Sequence, residues 1–244
     1  MSHSGLQNKV VIVTGAARGL GRELRSAFER EGALVVAVDL AGEDCLHADA
    51  GTAEGNAEIV RVALQRHGRI DVLVANAGVQ HVSPLPEFEE HEWDRLNDVL
   101  VKGPFLLLRA AWPELVTTRG AAVVISSTSA LRSEPNKTAY CAAKAGVLGL
   151  VRAAALEGGT AGVRVNAVAP GWMRTEMALA QVRKIADRDN VDEAEATERL
   201  LVQQPVKRFV ELSEVADAIL FLAGDGASAI TGACLPVDLG LLAG

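Results

Sequence analysis

Six short runs of almost continuous aliphatic and β-branched residues, at 9–14, 34–38, 70–75, 121–126, 163–168 and 233–237, alternate with longer stretches of helical patterning. No other feature constrains the fold as strongly. A strand without polar/apolar alternation has no face to give to water, so it must be covered on both sides, as in a parallel sheet between helices. The segments 19–31, 53–66, 90–115, 138–157 and 213–223 predict those helices. Ser213 and Glu214 before an apolar run make a good start for the last. Strand and helix in alternation, joined by right-handed crossovers, give a doubly wound α/β fold.

Two segments depart from the alternation. Asp49 follows Asp39 by ten positions, too few for a crossover helix, so a loop is expected between the second and third strands. The stretch 175–207 has no strand character and is rich in charge, which predicts a solvated helix pair that can also serve as a lid. With 244 residues, 49% of them hydrophobic, and no linker or repeat, one domain over 1–244 is expected.

The balance of charge narrows the partners. A formal charge of -7 without a basic cluster argues against nucleic acid. Cys45, Cys141 and Cys234 are odd in number and widely spaced, which predicts reduced thiols in a cytoplasmic protein. The first nine residues lack an apolar leader core, and no later run is expected to be long enough to span a bilayer. His47, His67, His81 and His91 lack metal-ligand spacing, so no metal is expected. Ser126 to Ser129 supply hydroxyls without the Gly-x-Ser-x-Gly elbow of a hydrolase.

Two motifs carry chemistry. The turn Thr14-Gly-Ala-Ala-Arg-Gly-Leu-Gly21 follows the first strand and opens a helix. In that context Gly15, Gly19 and Gly21, with Arg18 and Leu20 between them, let backbone approach a pyrophosphate at a helix N-terminus. Asp39, about twenty residues on, can accept from the adenosine ribose hydroxyls and repel a 2′-phosphate. Arg18 pulls the other way, and the carboxylate is expected to prevail, so NAD is the expected cofactor. Downstream, Tyr140 and Lys144 are four apart and share a helix face. A nearby cation favours phenolate, and moving a phenol from about 10 to near 7 takes roughly 4 kcal/mol. Such a phenol can exchange a proton with an alcohol or carbonyl while hydride passes to or from a nicotinamide.

Thr14-Gly-x-x-x-Gly-x-Gly21, Asn76-Ala-Gly78, Ser127, Tyr140-x-x-x-Lys144 and Pro170-Gly171 with Thr175 resemble the short-chain dehydrogenase/reductase family along essentially the whole chain. The resemblance implies a Rossmann-type, seven-stranded parallel sheet flanked by helices, in a homotetramer or homodimer. It implies that Ser127 holds the substrate oxygen, that Tyr140 is the acid/base and that Lys144 binds the nicotinamide ribose and lowers the Tyr140 pKa. Asp49 and Ala50 would contact adenine, Asn76, Ala77 and Gly78 would support the adenosine side, and Pro170, Gly171, Met173 and Thr175 would lie along the nicotinamide. The apolar helices at 99–115 and 142–156 would form the intersubunit contact.

A finer resemblance, to D-3-hydroxybutyrate dehydrogenases, lies in Gly78-Val-Gln-His-Val-Ser-Pro84, Asn136-Lys-Thr-Ala-Tyr140 and Pro170-Gly-Trp172. It implies that Gln80, Lys137, Trp172 and Gln181 surround a substrate carboxylate and methyl. Three positions depart from the pattern. Ser129 replaces a histidine two residues after the serine, which alters the substrate end. Leu100 stands where the family has an asparagine that bends the helix and holds a water linked to the lysine; leucine is expected to do neither, with Asn97 a poor substitute one turn earlier. Leu239 replaces a frequent second glycine, read as a packing change. The expected activity is NAD-dependent hydride transfer with a small 3-hydroxy acid. The alternatives are a reductase for a 3-oxoacyl thioester, sugar or cyclic alcohol, or a weakly active NAD-binding sensor or scaffold.

Overall fold

The structure is a computed structural model that describes residues 5–243; residues 1–4, within the stretch read for a leader, and Gly244 lie outside the described residues. Seven parallel strands form one sheet: β1 (Val10–Thr14), β2 (Leu34–Asp39), β3 (Leu46–His47), β4 (Val72–Ala75), β5 (Ala121–Ile125), β6 (Arg164–Pro170) and β7 (Cys234–Val237). Their order is β3-β2-β1-β4-β5-β6-β7, so the direction of winding reverses between β1 and β4. Ligands of open α/β sheets bind beyond the carboxyl ends of the strands at such a reversal.

The apolar runs are explained by β1. Val10 and Ile12 enter a core covered by α2 (Ala53–His67), α4 (Gly103–Thr118) and α5 (Thr138–Gly159). Val11 and Val13 enter the opposite core, covered by α1 (Gly19–Arg30) and α8 (Leu212–Ala223). Successive residues of a strand point to opposite faces, so a strand covered twice needs apolar residues at every position. The two-residue β3 pairs at the edge, Val38 with Leu46 and Asp39 with His47, after the expected loop.

Two expectations are corrected. First, α5 is a 22-residue helix long and apolar enough to cross a membrane by length and composition; half of that stretch is buried, with Val147, Leu148 and Val151 packed in the core beside β6. Second, the helix expected over 90–115 is not one regular element. It runs as α3 (Glu90–Asn97), a π-helical turn at Asp98–Lys102 and α4, with the Gly103 N–H donating to the Asp98 carbonyl five residues back. Leu100 lies inside that widened turn, so the irregularity forms without an asparagine.

The charged stretch folds as α6 (Glu176–Asp189) and α7 (Glu193–Leu200), the expected helix pair. Ala178, Val182, Ile185, Ala196, Leu201 and Phe209 give this pair a small core of its own, and Trp172 packs against it.

Candidate active site

The glycine turn joins β1 to α1 and is anchored from below. The buried Thr14 hydroxyl accepts from the Asn76 N–H (3.1 Å) and the Ala77 N–H (3.0 Å), and the Asn76 amide donates to the Thr14 carbonyl at 2.8 Å. Asn76 and Ala77 thus brace the turn from the end of β4, while Gly78 is exposed. Gly21 must be glycine, because a Cβ there would stand 1.9 Å from the Gly15 carbonyl oxygen. Gly19 has φ +53°, and a Cβ on it would meet nothing within 4 Å; it would project into open space at the helix start. With no side chain capping α1 and no acidic residue in its first turn, its free N–H groups suit an anion. A backbone cradle that only a Cβ would fill, at a helix N-terminus, fits a dinucleotide pyrophosphate. Leu20 is buried in the core, which leaves only its backbone to the cradle, and Arg18 is exposed at the rim.

Asp39 ends β2 beside this turn. Its carboxylate accepts from the Ala17 N–H (2.9 Å) and the Leu40 N–H (2.8 Å), so it both holds the turn and brings negative charge to the rim. Asp49 is exposed and accepts from the Gly51 N–H at 2.8 Å; Ala50 is half-buried. At the far side Pro170 ends β6, Gly171 donates to the Val237 carbonyl at 3.0 Å, and Met173 bridges to Val210. The Thr175 hydroxyl caps α6 by accepting from the Ala178 N–H (3.3 Å), which couples that position to the start of the helix pair.

The reactive cluster forms where β5 meets α5. Ser127 follows β5 and hydrogen-bonds the Tyr140 phenol, half-buried on the first turn of α5. Burial pushes the Tyr140 pKa up to about 12, the Ser127 hydrogen bond lowers it, and the charge of Glu134 raises it. One turn further, Lys144 is buried, donates to the Ile125 carbonyl at 2.6 Å and stands 5.8 Å from the Tyr140 ring centre. Burial pushes its pKa down to about 8.

Beside this cluster the structure adds a residue that the motifs do not single out. Glu134 accepts from the Ser129 hydroxyl at 2.8 Å and from the Lys137 ammonium at 2.8 Å. Lys137, only 6% exposed, lies 4.5 Å from the Trp172 ring centre. Ser129 in turn donates its N–H to the Ser127 oxygen at 3.1 Å. Ser129, Lys137 and Trp172 are therefore brought together, with Glu134 between the first two. Gln80 and Gln181 are half-buried and their side chains make no hydrogen bond among the described residues; the loop after Gln80 is tied to the cluster by the Ser83 N–H on the Asn136 carbonyl (2.9 Å). The signal for Glu134 was its three-residue spacing to Lys137, ordinary for a surface ion pair.

A separate cleft of about 430 Å³ opens at the other end of the sheet, lined by Lys9, Asp71, Arg119 and Arg164 among others; it contains none of these site residues.

The family model for enoyl-(acyl carrier protein) reductase matches residues 15–242. The chain is 36% identical to meso-2,3-butanediol dehydrogenase of Serratia marcescens, over 97% of this chain and 95% of that one. It is 35% identical to a 3-oxoacyl-[acyl-carrier-protein] reductase of Thermotoga maritima, over 97% and 99% of the two chains. Among solved structures, carveol dehydrogenase from Mycobacterium avium in complex with NAD superposes with a TM-score of 0.90, at 29% identity over 99% of this chain and all of that one.

Proposed function

The chain belongs to the short-chain dehydrogenase/reductase family, and from that premise we propose that it is an NAD-dependent oxidoreductase of small secondary alcohols and ketones. The observation that carries the proposal is the Ser127–Tyr140 hydrogen bond with Lys144 one turn away, beside the open glycine cradle. When bound, the dinucleotide supplies the acceptor for hydride from an alcohol, or the donor of hydride to a ketone. Gly15, Gly19 and Gly21 would hold its pyrophosphate, Asp49 and Ala50 its adenine, and Pro170, Gly171, Met173 and Thr175 its nicotinamide end. Asp39 favours NAD over NADP, because a carboxylate fixed at the rim repels a 2′-phosphate, whereas Arg18 is exposed there and no side-chain contact among the described residues fixes its position.

Ser127 orients the substrate oxygen by hydrogen bonding. Tyr140 takes the alcohol proton as hydride leaves, or returns it to the oxygen during ketone reduction. Lys144 favours the phenolate once its own proton is retained. Helices α6 and α7 form the lid, hinged where Thr175 caps α6. The assembly is a homotetramer or homodimer, supported by Phe105 and Leu156, apolar residues exposed on α4 and α5. A reducing cytoplasmic setting suits its three free cysteines.

The narrower reading, D-3-hydroxybutyrate, draws support from the meeting of Lys137 with Trp172. Against it stands Glu134, which already pairs with that lysine. The test is NADH appearance with NAD and a panel of hydroxy acids and neutral secondary alcohols, run on wild type and Tyr140→Phe. Turnover in the wild type that disappears in a variant still able to bind NADH is the expected result. Most of the activity surviving in Tyr140→Phe would reject the proton-transfer role, and an inert wild type that binds NADH would favour a sensor or scaffold.

A further inference from the structure

We propose that Glu134 is a specificity-determining residue: its carboxylate occupies the place on Lys137 that an anionic substrate group would take, and presents instead an acceptor for the hydroxyl of an uncharged hydroxyketone or diol. The proposal rests on the oxidoreductase reading above and deepens it to a substrate class.

The contacts form a continuous chain from the reacting oxygen to the end of the site. Ser127, which hydrogen-bonds Tyr140, accepts from the Ser129 N–H at 3.1 Å; the Ser129 hydroxyl donates to one Glu134 oxygen and Lys137 donates to the other, both at 2.8 Å. The lysine is enclosed, with a side-chain exposure of 7% and the Trp172 ring 4.5 Å away. A buried ammonium needs a partner, so the ion pair is held in place rather than exchanged freely with water. A substrate carboxylate arriving here would have to share one ammonium with Glu134, and two carboxylates at one site repel.

Glu134 is not enclosed as Lys137 is. Its side chain keeps 34% of its surface, and its charge is felt at the Tyr140 phenol. An ionised carboxylate is an acceptor with about four lone-pair positions, of which Ser129 and Lys137 use two. The remaining positions suit a hydroxyl donor on a substrate whose reacting carbon lies next to Tyr140. The Lys137–Glu134 pair is neutral as a whole, which removes any attraction for a net charge on the substrate.

Acetoin and acetoacetate are the probes, similar in size and differing in charge. Each is titrated into wild type, Glu134→Gln and Glu134→Asp without cofactor by NMR, and NADH binding to each protein is followed separately by cofactor fluorescence. Wild type should bind acetoin at least tenfold more tightly than acetoacetate. Glu134→Gln, which leaves the charge of Lys137 unopposed, should bind acetoacetate at least tenfold more tightly than wild type does; Glu134→Asp should keep the wild-type order. Equal affinities in wild type, or an acetoacetate affinity unchanged in Glu134→Gln, would overturn the assignment. Failure to bind NADH would strike the oxidoreductase reading alone, since the cofactor-free titration still decides the role of Glu134. Thermal melts of the three proteins identify any variant that has not folded, and Glu134→Asp then decides by whether it holds the wild-type preference.

Discussion

Tyr140 is the only tyrosine in the chain, so absorbance near 295 nm reports its ionisation directly. Across the 5.8 Å between the Lys144 ammonium and the phenol ring, a pair of unit charges at an effective dielectric of about 20 interacts by ~3 kcal/mol, or about 2 pKa units. That coupling requires both groups to be charged at once. In the cofactor-free protein they are not, because Lys144 gives up its proton near pH 8 and Tyr140 only near 12. The phenolate therefore develops beside a neutral amine, and Lys144→Met should leave the cofactor-free tyrosine titration where it is, with no phenolate below about pH 10. With NAD bound, hydroxyl acceptors on the ribose would return the proton to Lys144. The wild-type phenol should then titrate at least 2 units below that of Lys144→Met. A phenolate present near pH 7 in the cofactor-free protein and lost in Lys144→Met would refute this order of events.

Asp39→Ala should shift the ratio of NAD to NADP efficiency by at least tenfold toward NADP, and should lower the melting temperature as well, since the carboxylate holds the Ala17 and Leu40 N–H groups. Gly19→Ala should fold at a cost of roughly 1–2 kcal/mol for its left-handed backbone yet bind NADH weakly, whereas Gly21→Ala, 1.9 Å from the Gly15 oxygen, should disrupt the turn itself; calorimetry and NADH fluorescence separate the two. The depressed Lys144 pKa makes its protonation unfavourable for folding, a penalty complete below about pH 8 that fades toward 10.5 as the unfolded chain also loses its proton. Lys144→Met should thus be more stable than wild type at pH 7, by up to about 3 kcal/mol, with the advantage shrinking from pH 8 to 10.5 in urea melts. Leu100→Asn should lower the melting temperature by roughly 5 °C, because position 100 is buried among Leu96, Ala139 and Ala143; it should also raise turnover, and unchanged turnover would show that no relay is impaired at that position.

The strands were legible because each carries its own burial in its composition: Val10, Val11, Ile12 and Val13 can only be a strand covered on both faces. The turn at 14–21 was legible because its glycines are required by local geometry that the order of residues displays. The cluster around Lys137 was not. Glu134 and Lys137 are three apart, but what gives their pairing meaning comes from Ser129 after β5 and Trp172 after β6, two strand ends that only the sheet brings together.

The departures from the family pattern divide on the same line. Leu239, read as a packing change, does pack against the core, yet it also adopts φ +54°, the left-handed backbone that a glycine would occupy without strain. The left-handed backbone is present here without the residue that suits it best. Leu100 is the same case in a helix: the π-turn over Asp98–Lys102 persists although the asparagine that resemblance would credit with it is absent. A side chain that accompanies an irregular backbone is therefore not its cause here; that turn is packed by Leu96, Ala139, Ala143 and Tyr140. Leucine adds apolar contact in that position and removes a polar one, so the substitution bears on the surroundings of Tyr140 and Lys144 rather than on the path of the chain.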